Sequence, residues 1–284
     1  MSSSKLIDSA EWSTFAPAFM QLVSSGPGVA PAKEMADHVE KLLSFSSATT
    51  VVDMGCGPGQ ITDAVLSKYE AILPPSAKVV GADSIEQMLA QYSGRKQREI
   101  ANGHAYWQRA EAVQTDIHDC AAFADDSVSH MLAGFVVFLV PEPAKAVQAM
   151  KRTLAPGGVL AISSWRGSEW QDLMYYPKKV RPDLIMPILP TTWTSEEGVR
   201  QQLEAAGLKD VTVVETEGYM PFEDHDEICR FILTKMPLAA RAIQQMTDDE
   251  ILQTFELMKA DLKAKYPTLP AKMVGQATIA YARK

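Results

Sequence analysis

The sequence predicts an α/β fold: a central, mostly parallel sheet with helices on both faces and a helical cap. Three observations carry this. Between residues 49 and 165, short β-branched runs alternate with helical periods, the pattern of strand, crossover helix and parallel strand. The first run feeds a glycine-rich turn, Gly55-Cys56-Gly57-Pro58-Gly59, which feeds a helix. The last third turns helical again before one more strand.

The elements follow in order. In Ala32–Leu43, Met35, Val39, Leu42 and Leu43 stand at helical spacing, after a Gly-, Pro- and Ser-rich loop at Ser24–Pro31. Thr49–Met54 is expected as the first strand, Gln60–Tyr69 as a helix, Lys78–Ala82 as the second strand and Ile85–Tyr92 as its helix. Glu111–Asp116 and Ser129–Gly134 are the third and fourth strands. Glu142–Leu154 is a helix with Val147, Met150 and Leu154 on one face, stopped by Ala155-Pro156-Gly157-Gly158. Val159–Ser164 is the fifth strand. Trp165–Trp193 is aromatic and Pro-rich without a period, and is expected as a long loop or lid. Thr194 and Glu197 read as a capping box opening a helix to Gly207, followed by a strand at Val211–Val214. Asp224–Tyr266 reads as helices, with a second capping box at Thr247 and Glu250, and Ala277–Ala282 as a last strand. One domain results: a helical cap at 1–48, a core at 49–165, a lid and sixth strand at 166–220, an inserted helical cap at 221–275 and the last strand at 276–284.

Composition narrows the function. The 284 residues carry a net charge of −8, which argues against a broad nucleic-acid-binding face. Lys178, Lys179 and Arg181 form the nearest basic group and read as a solvated loop. Cys56, Cys120 and Cys229 are odd in number and widely spaced, so neither a disulfide framework nor a structural metal site is expected. Met1–Ala10 lacks a leader pattern, and the apolar stretch Met131–Val140 is about half the length of a membrane span. A soluble, cytoplasmic protein is expected, as a monomer or homodimer, with no nucleic-acid or membrane partner.

The glycine-rich turn carries the chemistry. Glycine lets backbone approach a ligand closely, and the helix that follows offers free N–H groups. A dinucleotide fingerprint would place its third glycine at position 60, where Gln60 stands, and a phosphate loop would end in Gly-Lys-Ser/Thr. Asp53 closes the strand before the turn, and an acid there suits a cationic ligand better than a pyrophosphate. Asp83 ends the second strand, 24 residues beyond Gly59, where an acid can accept from two ribose hydroxyls.

Asp53-Met54-Gly55-Cys56-Gly57-Pro58-Gly59 resembles motif I of the class I S-adenosylmethionine (SAM)-dependent methyltransferases, and Leu154-Ala155-Pro156-Gly157-Gly158 resembles their post-helix turn. The resemblance implies a Rossmann-like, seven-stranded sheet and SAM as cofactor. It implies cofactor contacts from Asp53, Gly55, Cys56, Gly57 and Gly59, from Asp83, Ser84 and Met88, from Asp116 and Ile117 at the adenine, and from Gly134 and Phe135 at the methionine end. Ser163-Ser164-Trp165, Trp170, Gly207, Asp210-Val211 and the long helical insertion are similar to fungal small-molecule methyltransferases of secondary metabolism, including the thiol S-methyltransferases of gliotoxin type. That implies methyl transfer to an O or S atom of a small, aromatic or apolar metabolite.

Trp12, Phe15, Trp165 and Trp170 are candidate substrate residues, within an aromatic group that also holds Phe19, Tyr175, Tyr176 and Trp193; the bland reading is a lid core. No catalytic residue is assigned: His118 and His225 are the histidines placed near acids, and an acceptor with a low pKa needs little help from a base. Cys56 reads as a small residue packed under the cofactor. Three rival readings stand: methylation of a macromolecule, SAM binding without methylation, and nicotinamide-dependent oxidoreduction.

Overall fold

The computed structural model describes residues 9–22, 25–188 and 190–284. Residues 1–8, Ser24 of the expected loop and the Phe19 side chain lie outside the described residues. A seven-stranded sheet runs in the order β3-β2-β1-β4-β5-β7-β6. Its strands are β1 (Thr50–Met54), β2 (Lys78–Asp83), β3 (Ala110–Gln114), β4 (Val128–Gly134), β5 (Leu154–Ser168), β6 (Lys209–Phe222) and β7 (Ala271–Arg283). β7 runs antiparallel to both its neighbours, and the other pairings are parallel. This is the Rossmann-like, class I methyltransferase arrangement.

The centre of the sheet is apolar on both faces. In β1, Val51, Val52, Asp53 and Met54 are all buried, as a parallel strand covered on both sides requires. Val51 joins the core made with α2 (Val29–Leu42) and α3 (Gln60–Tyr69). Val52 points the other way, into the core made with α5 (Pro143–Thr153) and α8 (Glu196–Ala205). Each fully buried Val, Leu or Met contributes about 1.5–3 kcal/mol. The chain leaves β1 towards β2 and β3, then returns to β4 on the opposite side. That reversal opens a crevice at the carboxyl ends of β1 and β4, where open α/β sheets bind ligands.

Three expectations are corrected. Trp165–Trp193 is largely ordered rather than loop: β5 continues to Ser168 by pairing with β7, with a bulge at Arg166, and is followed by α6 (Glu169–Met174) and α7 (Pro177–Val180). Lys178 and Lys179 accordingly sit in a helix. The cap of α8 is Ser195, which is extended and accepts from the Gly198 N–H; the Thr194 hydroxyl instead donates to the Thr191 carbonyl. The strands at the end of the sheet are longer than expected, because Lys209 and, past a bulge at Asp210-Val211, all of Thr212–Phe222 pair with β7. The same lengthening applies to α4, which spans Glu86–Ala101.

Between β6 and β7 lie α9 (His225–Lys235), α10 (Pro237–Ile243) and α11 (Asp248–Lys265). The expected capping box is present: Thr247 accepts from the Glu250 N–H, and Glu250 from the Thr247 N–H. At the other end of the chain, α1 (Ser9–Phe19) spans from α4 to α10. Ser13 donates to Gln87, and Glu11 pairs with the Arg241 guanidinium through both oxygens. No helix among the described residues is long and apolar enough to cross a membrane.

Candidate active site

A cavity of about 770 Å3 opens over the carboxyl ends of β1, β2, β4 and β5. Its floor is the turn after β1, and three glycines serve that turn for three different reasons. Gly55 has φ +68° and its N–H donates to the Ala82 carbonyl at 2.7 Å; a Cβ there would stand 2.6 Å from Val136. Gly57 has φ +47°, and a Cβ would meet nothing nearer than the Met88 sulfur at 4.0 Å. Its bare Cα therefore fronts open cavity, a cradle that a side chain would fill. Gly59 is the left-handed N-cap of α3, and a Cβ would press on Tyr92 at 2.8 Å. Gly59 is absent from the cavity wall, so its expected cofactor contact is corrected to a packing role beneath the turn.

Arg95, which no motif singles out, fixes that turn from below. Its side chain is 3 % exposed, donates to the Pro58 and Gly59 carbonyls at 3.2 and 2.8 Å, and pairs with Asp63 at 3.0 Å. Trp107 donates to the same Asp63 and lies under the guanidinium.

Asp53, Asp83 and Asp116 all line the cavity. Asp53 Oδ2 accepts from the Thr62 N–H and hydroxyl at 3.0 and 2.9 Å, while Oδ1 has no partner among the described residues. Burial pushes the Asp53 carboxyl up to about 7, against the pull of the Thr62 bonds. Asp83 accepts from Gly57 N–H through Oδ2 and from Ile85 N–H through Oδ1; burial raises its pKa. Asp116 Oδ1 accepts from the backbone and ring of His118 at 2.8 and 2.7 Å. Burial opposes ionisation there, but the two His118 bonds prevail and hold the carboxyl below its ordinary value.

Ser84, Met88, Ile117, Gly134 and Phe135 complete this half of the wall. A Cβ on Gly134 would strike Ile61 at 2.6 Å. Phe135 holds φ +54°, which costs a non-glycine residue roughly 1–2 kcal/mol. Its N–H donates to Ser163 Oγ at 3.0 Å, and its ring stacks on Trp165 with centroids 4.1 Å apart. Cys56 lies in the wall, and burial raises its thiol well above the ordinary value, so it stays protonated and packs as a small apolar group.

The other half of the cavity is aromatic and apolar. Trp12, Trp165, Trp170 and Tyr175 line it, with Met220 and Leu238. Phe15 is buried but does not line the cavity, so its expected substrate contact is corrected to core packing under α1. Tyr176 and Trp193 also stand outside the wall. Of the two histidines near acids, His225 is buried and bonded to the Tyr266 carbonyl, away from the cavity. His118 is at the wall, with one ring nitrogen on Asp116 and the other buried without a partner. Among the described residues no group of three or more His, Cys, Asp or Glu could hold a metal.

Known proteins fit this geometry. Residues 52–162 match the methyltransferase domain family. The chain is 28 % identical over 270 residues to the methyltransferase ucsB of Acremonium sp, covering 95 % of this chain and 93 % of that protein. It is 26 % identical over 190 residues to an acetylaranotin bis-thiomethyltransferase of Aspergillus terreus, spanning 64 % of this chain and 62 % of that one. Among solved structures, phosphoethanolamine N-methyltransferase 2 of Haemonchus contortus, in complex with S-adenosylhomocysteine (SAH), shares the fold. Its TM-score is 0.54 at 14 % identity, over 96 % of this chain and 57 % of that one. With the motif on the crevice and these similar proteins beside it, the chain has the Rossmann-like fold of class I methyltransferases, is similar to fungal secondary-metabolite methyltransferases, and is a SAM-dependent methyltransferase.

Proposed function

We propose that the enzyme methylates an O or S atom of a small aromatic or apolar metabolite. The observation that carries this is one continuous cavity, polar and acid-lined at the glycine turn, aromatic at the other end. Asp53, Gly55, Cys56 and Gly57 would receive the methionyl end of SAM, with the free Asp53 oxygen accepting from its ammonium group. Asp83 and Ser84 would hold the ribose, and Met88, Asp116 and Ile117 the adenine. Gly134 and Phe135 would flank the sulfonium. Trp12, Trp165 and Trp170 would wall the acceptor.

SAM supplies an activated methyl group when bound. The chain's own contribution is then alignment and exclusion of water. The turn fixes the donor, the aromatic wall fixes the acceptor, and α1 spans above. Alignment of this kind is worth about 7–11 kcal/mol. A thiol with a pKa near ~8.5 is already partly ionised, and a phenol near ~10 needs a modest shift. Acceptors of this sort suit a wall whose histidine is tied to Asp116. The cavity's volume and its mix of acid and aromatic lining suit a free small molecule rather than a nucleic acid or a membrane lipid, in a cytoplasmic monomer or homodimer.

The test is methyl transfer from labelled SAM to a panel of phenols and thiols, run beside protein and RNA extracts. Transfer to small phenols or thiols supports the proposal. Label appearing only in the macromolecular fractions, or SAM bound without turnover on any acceptor, rejects it.

A further inference from the structure

Two tryptophans meet at one corner of the cavity. Trp165 comes from β5 and Trp170 from α6, and their rings meet edge to face with centroids 5.0 Å apart. Each rests on a glycine. A Cβ on Gly218 would lie 2.6 Å from Trp165 Cη2, and one on Gly275 would lie 2.2 Å from Trp170 Cη2. Gly218 and Gly275 are direct partners in the β6–β7 ladder, so both bare Cα atoms face the same side of the sheet. Neither has the left-handed backbone that would itself call for glycine. What excludes a side chain at each position is therefore the neighbouring contacts: the Trp170 indole first at Gly275, and at Gly218 the Pro27 carbonyl together with the Trp165 indole.

The second observation concerns the indole N–H groups. Trp165 and Trp170 are 8 % and 2 % exposed, and both line the cavity. Among the described residues neither N–H has a hydrogen-bond partner, whereas the N–H of buried Trp107 is bonded to Asp63. Neither is among the polar atoms sealed from solvent without a partner, so each keeps accessible surface. Both rings line the cavity, and a tryptophan N–H usually finds an acceptor, so the acceptor for these two donors comes from whatever fills the cavity.

We propose that this corner selects the methyl acceptor. The Gly218–Gly275 pair sets its depth by letting both indoles lie against the sheet. The indole N–H groups favour a flat ring bearing a hydrogen-bond-accepting oxygen, such as a ring carbonyl. The proposal rests on the aromatic end of the cavity being the acceptor half. Gly218 and Gly275 are positioning residues in it, acting through the two rings.

The experiment uses a matched pair of probes, 2-hydroxyfluorene and 2-hydroxyfluorenone, which differ only in the ring carbonyl. Binding to the SAH-loaded full chain is measured by calorimetry. The native enzyme is expected to bind the fluorenone about tenfold more tightly, the worth of one hydrogen bond. Trp165→Phe and Trp170→Phe, which keep an aromatic ring but lose the N–H, are expected to shrink that preference. Gly275→Ala is expected to weaken both probes about tenfold or more in the native background, but much less beside Trp170→Phe, which removes the atoms it strikes. The remaining contact with Ser168 Cβ, 2.8 Å from the added methyl, is common to both backgrounds and cancels in the cycle. SAH affinity should hold in the Trp170→Phe and Gly275→Ala variants.

Equal affinity of the two probes for the native enzyme, or the same loss from Gly275→Ala in both backgrounds, overturns the proposal. If Gly275→Ala does not fold, the carbonyl preference of the two phenylalanine variants decides. Native enzyme that binds SAH but neither probe would instead overturn the acceptor reading beneath it.

Discussion

Replacing Asp53 by asparagine isolates the electrostatics of the cofactor turn. Burial, offset in part by the Thr62 bonds, lifts this carboxyl from 3.8 to about 7. Three units correspond to about 4 kcal/mol at roughly 1.4 kcal/mol per unit, an order-of-magnitude figure for a buried group. The sign follows from proton binding. Between about pH 4 and pH 7 the folded chain keeps a proton on Asp53 that the unfolded chain has released. The stability this provides is complete below about pH 4 and is lost as pH rises through about 7. Asp53→Asn preserves the shape and an acceptor for Thr62 but has nothing to titrate. In urea unfolding from pH 4.5 to 8, the stability of the variant relative to the native enzyme should therefore climb by about 3 kcal/mol and level off above pH 7. The same carboxylate should draw the ammonium group of SAH only when ionised, so native SAH affinity should fall below pH 7 more steeply than that of the variant. A flat stability difference across the range refutes the burial argument.

Other substitutions test the neighbours. Gly57→Val should abolish SAH binding by calorimetry, because its side chain enters the open cradle, with a left-handed strain of about 1–2 kcal/mol in unfolding. Asp83→Ala should weaken SAH at least about tenfold and also cost about 2–4 kcal/mol, since it strands the Gly57 and Ile85 N–H groups; urea titration reads the second effect. Arg95→Met should cost about 1–3 kcal/mol by leaving two turn carbonyls without their donor, while Trp107 still donates to Asp63, and weaken SAH although Arg95 stands outside the cavity wall.

The parts of the site that a sequence displays are those whose chemistry is local. The acid, the glycines and the strand-to-helix switch of Asp53–Gly59 lie within seven consecutive residues, so the turn and its cationic ligand are readable without a fold. The distinct duties of the three glycines are not readable. Gly59 differs from Gly57 only because Tyr92 and Trp107, many residues away, close over it. Arg95 is hidden for the same reason: its partners at Pro58, Gly59 and Asp63 are brought to it by the packing of α4 against the turn. The aromatic segment after Trp165 lacks a period because it contains a strand end with a bulge at Arg166 and two short helices, each too brief to show one. The Gly218–Gly275 seat needs the register of two strands separated by three helices, and nothing in either local sequence announces it.

In the proposed reaction donor and acceptor share one cavity, and the methyl group passes from the glycine turn towards the tryptophan corner. The decisive measurement is a crystal structure of the enzyme with SAH. The ribose is expected on Asp83, the adenine beside Met88, Asp116 and Ile117, the ammonium within hydrogen-bond distance of Asp53 Oδ1, and the sulfur facing Trp165. SAH lying with its adenine against the tryptophans, or bound away from Gly55 and Gly57, would contradict it.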